Sequence, residues 1–128
     1  MIFVFNHPPV AKGRPRITRT GHAFTPAKTR AAEAEFKRMA IEQMEGDPLE
    51  GSIQCSFVFY FPKPKSNKTS HHTQRPDLSN IVKTIEDACN GVVWKDDCQI
   101  VTMCLSKGWD ESGPGHCLMV VEPLLEIS

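Results

Sequence analysis

The chain has 128 residues, of which 40% are hydrophobic and 23% are charged, and its 15 basic and 15 acidic residues give a formal net charge of zero. These values predict one globular domain with a real core, and they argue against two domains or a disordered chain. No apolar run approaches the length that crosses a bilayer, and the N-terminal segment reads as a strand and not as a signal peptide, so no membrane partner is expected. The five cysteines form no Cys-x-x-Cys pair and fall mostly in apolar segments, which predicts reduced, buried thiols in a cytoplasmic protein.

Strands and helices alternate along the chain. A first helix should have Thr25 as its N-cap and Pro26 as its first residue, and should run to about Met44. A second helix should follow Pro76, and Gly21 should form the turn of a short hairpin. Strands are predicted at 2–6, 16–20, 22–24, 52–61, 98–107 and 116–122. The order of these elements is an alternating α/β order within a single domain.

The predicted second helix has an apolar face and a polar face. Its apolar residues recur at helical spacing, which predicts burial: Leu78, Ile81, Val82, Ile85, Ala88 and Cys89. On the other side, Asn80, Lys83 and Asp87 are three or four residues apart, so their polar ends can meet. Asp77 precedes the helix, and a turn containing Asp96 and Asp97 follows it. Carboxylates from a helix and from a strand edge suit Mg²⁺, which takes oxygen ligands, so we predict a metal-dependent phosphodiesterase.

Each of these residues also has a structural interpretation. Asp77 is a good N-cap, which would stabilise the helix by about 1 kcal/mol without a metal. The Asp96-Asp97 pair is typical of a turn, because aspartate bonds its neighbouring backbone there, and Lys83 with Asp87 is typical of an exposed ion pair. A zinc site is a further alternative, built from Cys104, His116 or Cys117, or from His71, His72 and cysteines.

The net charge of zero conceals a strong asymmetry. Residues 10–30 and 61–75 contain ten of the fifteen basic residues and no acid. We expect these segments to bind phosphates of a nucleic acid and the 62–75 loop to be mobile, although solvated surface loops have the same composition. The predicted DNA-binding residues are Lys12, Arg14, Arg16, Arg19, Lys63, Lys65, Lys68 and Arg75.

The central motifs resemble those of a known family. Arg75-Pro-Asp-Leu-Ser-Asn-Ile-Val-Lys83 and Glu86-Asp-Ala-Cys-Asn-Gly-Val-Val-Trp-Lys-Asp-Asp-Cys-Gln-Ile100 resemble the signature of the RusA family of phage and prophage Holliday-junction resolvases. Lys12-Gly-Arg-Pro-Arg16, the segment 18–30 and Phe61-Pro-Lys-Pro-Lys65 are similar to the same family. The resemblance implies an α+β fold class, with a small mixed β-sheet and two main helices packed on it. It also implies a bacterial or phage-encoded homodimer that cuts branched DNA, such as four-way junctions, in recombination and repair. It implies Mg²⁺ as the cofactor, with Mn²⁺ as a substitute, and no nucleotide cofactor.

The resemblance also implies the roles of individual residues. Asp77 and Asp97 match the family's metal-binding acids, Lys83 matches its active-site lysine, and all three are the expected catalytic residues. Ser79 stands where family members commonly have aspartate, and a neutral hydroxyl is a weaker Mg²⁺ ligand than a carboxylate. The further candidate ligands are Ser79, Asp96, Asp87 and Asn80, with Asp87 ranked above Asp96 as a substitute. The alternative is a weakened or inactive protein that binds junctions without cutting them.

Overall fold

A computed structural model describes residues 1–13, 16–65 and 70–125, with Arg16 described in its backbone alone. The described elements are the strands β1 (Ile2–Phe5), β2 (Arg16–Ile17), β3 (Ala23–Phe24), β4 (Ile53–Pro62), β5 (Ile100–Asp110) and β6 (His116–Pro123), and the helices α1 (Ala27–Gln43) and α2 (Leu78–Cys89). A short 3-10 helix, Asp97–Gln99, leads into β5. The architecture is α+β, as the family resemblance implies.

The main sheet has the strand order β1-β6-β4-β5, and β2 pairs with β3 in a separate hairpin. Strands β4 and β5 are parallel, whereas β6 is antiparallel to both β4 and β1, so the sheet is mixed. The chain that joins β4 to β5 contains α2, because two parallel neighbours need a crossover connection. The helices pack on each other, α1 contacts β1 and α2 contacts β5.

The core lies between the helices and one face of the sheet. Alternate side chains of β4 are buried there, including Ile53, Phe57 and Phe59, because successive residues of a strand point to opposite faces. The predicted apolar face of α2 is buried opposite them, apart from Leu78, which is partly buried, and α1 buries Ala32, Phe36, Met39 and Ala40 in the same core. Truncating a core phenylalanine such as Phe57 to alanine would cost about 3–5 kcal/mol.

Most element boundaries differ from the sequence prediction by one to three residues; for example, β2 ends at Ile17 and not at residue 20, and β5 ends at Asp110 and not at residue 107. Pro26, and not Thr25, is the N-cap of α1, because its ψ of 144° is extended and not helical. Strand β5 begins at Ile100 and not at residue 98, because Asp97–Gln99 forms the 3-10 turn. Shifts of one or two residues are common at element ends.

The cysteine prediction is correct for three residues and wrong for two. All five cysteines lie in the described ranges and are free. Cys55, Cys89 and Cys117 are buried, and burial raises the pKa of Cys55 to about 12 and that of Cys117 to about 12. Cys98 and Cys104 are exposed, because one precedes the edge strand β5 and the other lies on the sheet face away from the helices.

Candidate functional site

Lys83 lies between two carboxylates at the surface of α2. Its Nζ is 3.6 Å from Oδ1 of Asp87, one helical turn further on, and 3.8 Å from Oδ2 of Asp97. Asp87 raises the pKa of Lys83 above its ordinary value, and Asp97 adds to this effect against a contribution from burial. The helix and the turn before β5 therefore meet at this ammonium group. The helical spacing predicts the contact with Asp87, whereas the contact with Asp97 depends on the tertiary structure.

Asp97 is oriented by a hydrogen bond from the end of α2. Nδ2 of Asn90 donates to Oδ2 of Asp97 at 3.3 Å, while Oδ1 of Asn90 accepts a hydrogen bond of 2.7 Å from Nε1 of Trp94. Trp94 is fully buried, so its indole fixes which way the Asn90 amide points. The tryptophan therefore acts on Asp97 through Asn90.

The two adjacent aspartates have different positions in the turn. Asp96 is the N-cap of the 3-10 helix, accepts a 3.1 Å hydrogen bond from the backbone N–H of Cys98, and forms a capping box with Gln99. That hydrogen bond is the main reason that the pKa of Asp96 is lowered. The turn interpretation of Asp96 is therefore correct, while Asp97 extends toward Lys83.

Glu86 is a carboxylate of this site that the sequence prediction did not include. It lies one turn after Lys83 and one turn before Asn90, on the face of α2 that meets Asp97. Burial raises the pKa of Glu86, and the nearby charge of Asp97 raises it further. The charged form of Glu86 is therefore disfavoured in the folded protein.

Asp77 lies at the other end of α2. It occupies the N-cap position, yet its side chain makes no capping hydrogen bond and no ion pair with any described residue. A rise of 1.5 Å per residue puts Asp77 about 20 Å along the axis from Asn90, which contacts Asp97. Lys83, which also approaches Asp97, lies only about 9 Å along the axis from Asp77. The helix therefore does not by itself fix the distance between the carboxylates of Asp77 and Asp97, which would each lie about 2.1 Å from a shared Mg²⁺. Their roles as metal ligands stay predictions.

The other candidate ligands differ in whether their side chains are exposed or already paired with lysines. Ser79 and Asn80 are exposed in the first turn of α2, whereas both carboxylate oxygens of Asp87 face lysines. Asp87 is therefore a poorer substitute ligand than the helical spacing alone suggested. Across the described ranges, no group of three or more His, Cys, Asp and Glu side chains is arranged to hold a metal, which gives no support to the zinc alternatives.

The segment before Asp77 is fastened to β5. Nζ of Lys107 donates to the backbone oxygen of Gln74 at 2.8 Å and to that of Pro76 at 3.2 Å. His72 is buried, with its ring centroid 4.4 Å from that of Phe61 and 4.4 Å from that of Trp109. This end of the basic loop therefore has an aromatic anchor, which its polar composition did not indicate.

The predicted DNA-binding residues fall into three groups. Arg19, Lys65 and Arg75 are exposed, so their charges are available to phosphates. Lys63 forms an ion pair of 3.3 Å with Glu111, and Lys12 is held by Asp87 and Glu33. Arg14, Lys68 and the side chain of Arg16 lie outside the described residues.

Comparison with known proteins agrees with the motifs. Residues 6–120 match the family model described as endodeoxyribonuclease RusA. The chain belongs to the RusA endodeoxyribonuclease family. It is also similar to the "Uncharacterized protein YqaN" of Bacillus subtilis (strain 168), with 32% identity covering 80% of this chain and 83% of the relative. RusA membership implies the nuclease activity of Holliday-junction resolvases, and RusA nucleases are generally dependent on divalent metals. Within the described ranges, no helix is long and apolar enough to cross a membrane.

The chain contains supporting residues that the sequence prediction did not identify as part of the site. The sequence prediction assigns no role in the site to Asn90, Glu86 or Lys107. Glu86 and Asn90 are three and seven residues after Lys83, which is the spacing of one helix face, so this signal was present in the sequence. Nothing in the sequence places Lys107 beside Pro76, because that contact depends on the parallel pairing of β4 and β5.

Proposed function

We propose that this RusA-family chain is a Mg²⁺-dependent endonuclease that resolves four-way DNA junctions as a homodimer. The observation that carries the proposal is the Lys83 ammonium beside Asp97, in a chain that matches the family over residues 6–120. The exposed residues Arg19, Lys65 and Arg75 are available to bind phosphates of the DNA. Asp77, Asp97 and Lys83 are the proposed catalytic residues.

The residues of the site fit a hard divalent cation. Mg²⁺ is usually bound by one or two carboxylates and completes its coordination with water and with substrate phosphates. Asp97 is fixed by Asn90, and Asp77 has no hydrogen-bond or ion-pair partner for its side chain in the described part of the chain. These two acids would hold the cation or cations, which when bound polarise the phosphate and lower the pKa of a bound water. Mn²⁺ is the expected substitute.

The chain's own residues supply charge and position. Lys83 carries an ammonium group to the site, where it would stabilise negative charge on the phosphate in the transition state. Asn90 keeps Asp97 in one orientation, and Lys107 holds the backbone that leads into Asp77. Arg19, Arg75 and the remaining exposed cations would bind backbone phosphates away from the cut, which positions the DNA without reading its bases.

The open face of the sheet is the proposed dimer surface. Ile2 and Val4 are 72% and 41% exposed, and they pair in register with Val120 and Leu118 on the same face. Edge pairing through β1 is less favourable, because Gln43 forms two 2.8 Å hydrogen bonds with the backbone of Val4. A two-fold dimer would present one site to each of two strands of a junction. Leu118→Lys should shift the chain from dimer to monomer in sedimentation, and a monomeric wild type would contradict this surface.

A second candidate function is junction binding without cleavage. Ser79 favours it, because α2 has no acid in its first turn, where family members commonly have aspartate. Such a protein would retain the exposed cations and retard junctions without cutting them. The nuclease proposal is preferred because Lys83 and Asn90 both lie close to the carboxylate of Asp97.

Cleavage of a labelled four-way junction tests the proposal, with a linear duplex of the same sequence as the substrate control. We expect paired nicks in the junction with Mg²⁺ and none with EDTA. Asp77→Asn and Asp97→Asn should still fold and bind the junction while cleavage falls at least about a hundredfold. Asp47→Asn, which changes an exposed aspartate outside the site, is the matched control. Retardation by the wild type without nicks would establish the second candidate, and full cleavage by either site variant would remove that residue from the proposal.

A further inference from the structure

The backbone around Lys12 is fixed against both helices. The N–H of Lys12 donates to the backbone oxygen of Asn80 in α2 at 2.9 Å, and the N–H of Gly13 donates to Oγ1 of Thr29 in α1 at 2.9 Å. A Cβ atom on Gly13 would lie 2.8 Å from that Oγ1, so the close contact requires glycine. The backbone of Lys12 is therefore held in place independently of any contact of its side chain.

The Lys12 side chain joins the two helices. Its ammonium group contacts Glu33 of α1 and lies 2.7 Å from Oδ2 of Asp87 in α2, with only 25% of the side chain exposed. These hydrogen bonds raise the pKa of Lys12 although burial opposes them. A lysine held in this way is a poor phosphate ligand, because a phosphate would have to replace two carboxylates.

Asp87 is shared unequally between two lysines. Its Oδ2 is at hydrogen-bond distance from Lys12, whereas its Oδ1 is 3.6 Å from Nζ of Lys83. Ammonium and carboxylate groups that close into a hydrogen bond lie about 2.7–2.9 Å apart, so Lys83 has not closed onto Asp87. Two residues four apart on a helix can close in this way, and the charge of Lys12 weakens the attraction that would draw them together.

We propose that Lys12 and Asp87 are positioning residues that keep the Lys83 ammonium available for an incoming DNA phosphate. The positive charge of Lys12 neutralises the carboxylate of Asp87. Asp87 therefore keeps Lys83 beside Asp97 but does not form a closed ion pair with Lys83. Removal of Lys12 leaves Asp87 as an unopposed anion, which draws Lys83 into a closed pair and away from the phosphate. This inference rests on the proposed nuclease function, and it reassigns Lys12 from a DNA contact to a support of the site.

Single-turnover cleavage of the junction at saturating protein tests the inference, with binding measured separately across salt concentrations. Lys12→Met should lower the cleavage rate about ten- to a hundredfold, with junction affinity and its salt slope unchanged. Lys12→Arg should retain most of the rate, because it keeps the charge. In Lys12→Met/Asp87→Asn, part of the lost rate should return, because the anion that captures Lys83 is gone, but not all of it, because Asp87 no longer holds Lys83 beside Asp97. Lys37→Met is the matched control, since Lys37 is exposed on α1 and has no ion pair in the described residues.

Two outcomes would overturn the inference. One is a double variant that is no faster than Lys12→Met. The other is that Lys12→Met binds the junction more weakly, with a salt slope smaller by about one, but cleaves it at the wild-type rate when the protein is saturating. That result would identify Lys12 as a phosphate contact. Thermal unfolding shows whether each variant is folded, and Lys12→Gln replaces Lys12→Met if that variant is not.

A crystal structure of the Lys12 variant gives a result that does not depend on cleavage. The distance between Lys83 Nζ and Asp87 should shorten from 3.6 Å to about 2.8 Å. An unchanged distance would overturn the inference even if the wild type cuts junctions. A wild type that does not cut them would refute the proposed function and leave this structural measurement valid.

Discussion

Asn90 accepts a hydrogen bond from Trp94 and donates one to Asp97, so substitutions of Asn90 should affect both the stability and the activity of the protein. Asn90→Ala removes the acceptor of the Trp94 indole and also the donor to Asp97. Trp94 is fully buried, so its N–H would be left without a partner. A buried donor without a partner costs about 1–3 kcal/mol, a large share of the 5–15 kcal/mol that ordinarily stabilises a domain. At about 3–5 °C per kcal/mol for a chain of this length, the melting temperature should fall by about 3–15 °C.

Asn90→Asp separates the two roles. Aspartate still accepts the hydrogen bond from Trp94, but it places a second carboxylate opposite Asp97 where the amide donated. The melting temperature should therefore fall less than in Asn90→Ala, while junction cleavage falls in both variants and junction binding is kept. Calorimetry and single-turnover cleavage measure the two effects. If Asn90→Ala melts within about 1 °C of the wild type, the bond to Trp94 contributes nothing measurable, and the reasoning fails.

Two further predictions concern groups that support the site. Glu86→Gln should raise the melting temperature at neutral pH, because burial and Asp97 raise the pKa of Glu86, so its charge destabilises the folded state above that pKa. The gain should disappear as the pH falls below the ordinary carboxyl pKa of about 4.5, where the wild-type residue is protonated in both states; an equal gain at pH 4 and pH 7.5 in calorimetry would contradict this origin. Lys107→Met removes the hydrogen bonds to the backbone oxygens of Gln74 and Pro76, and should destabilise the protein by about 1–2 kcal/mol. Amide exchange should quicken at residues 73–77 with Lys107→Arg as the control, and unchanged exchange would show that Lys107 does not hold this segment.

Most of the fold could be predicted from periodicity. The alternation in β4 and the 3.6-residue repeat in α2 identify buried faces, because burial there depends on spacing along the chain. The side of α2 that bears Lys83 follows from the same repeat, and so does its contact with Asp87. The cap of α1 was misplaced by one residue, since Thr25-Pro26 and Pro26-Ala27 are both acceptable starts and local propensity does not separate them.

The sequence by itself determined the family, the amphipathic helix and the identity of the charged residues, because those properties are local or follow a fixed period. Only the tertiary structure decided which charges meet. The crossover from β4 to β5 carries Asp97 to the end of α2, the N-terminal segment inserts Lys12 between the helices, and Lys107 reaches the residues before Asp77. Each of these contacts joins residues far apart along the chain, and their partners depend on how the sheet and helices pack, which no local pattern records.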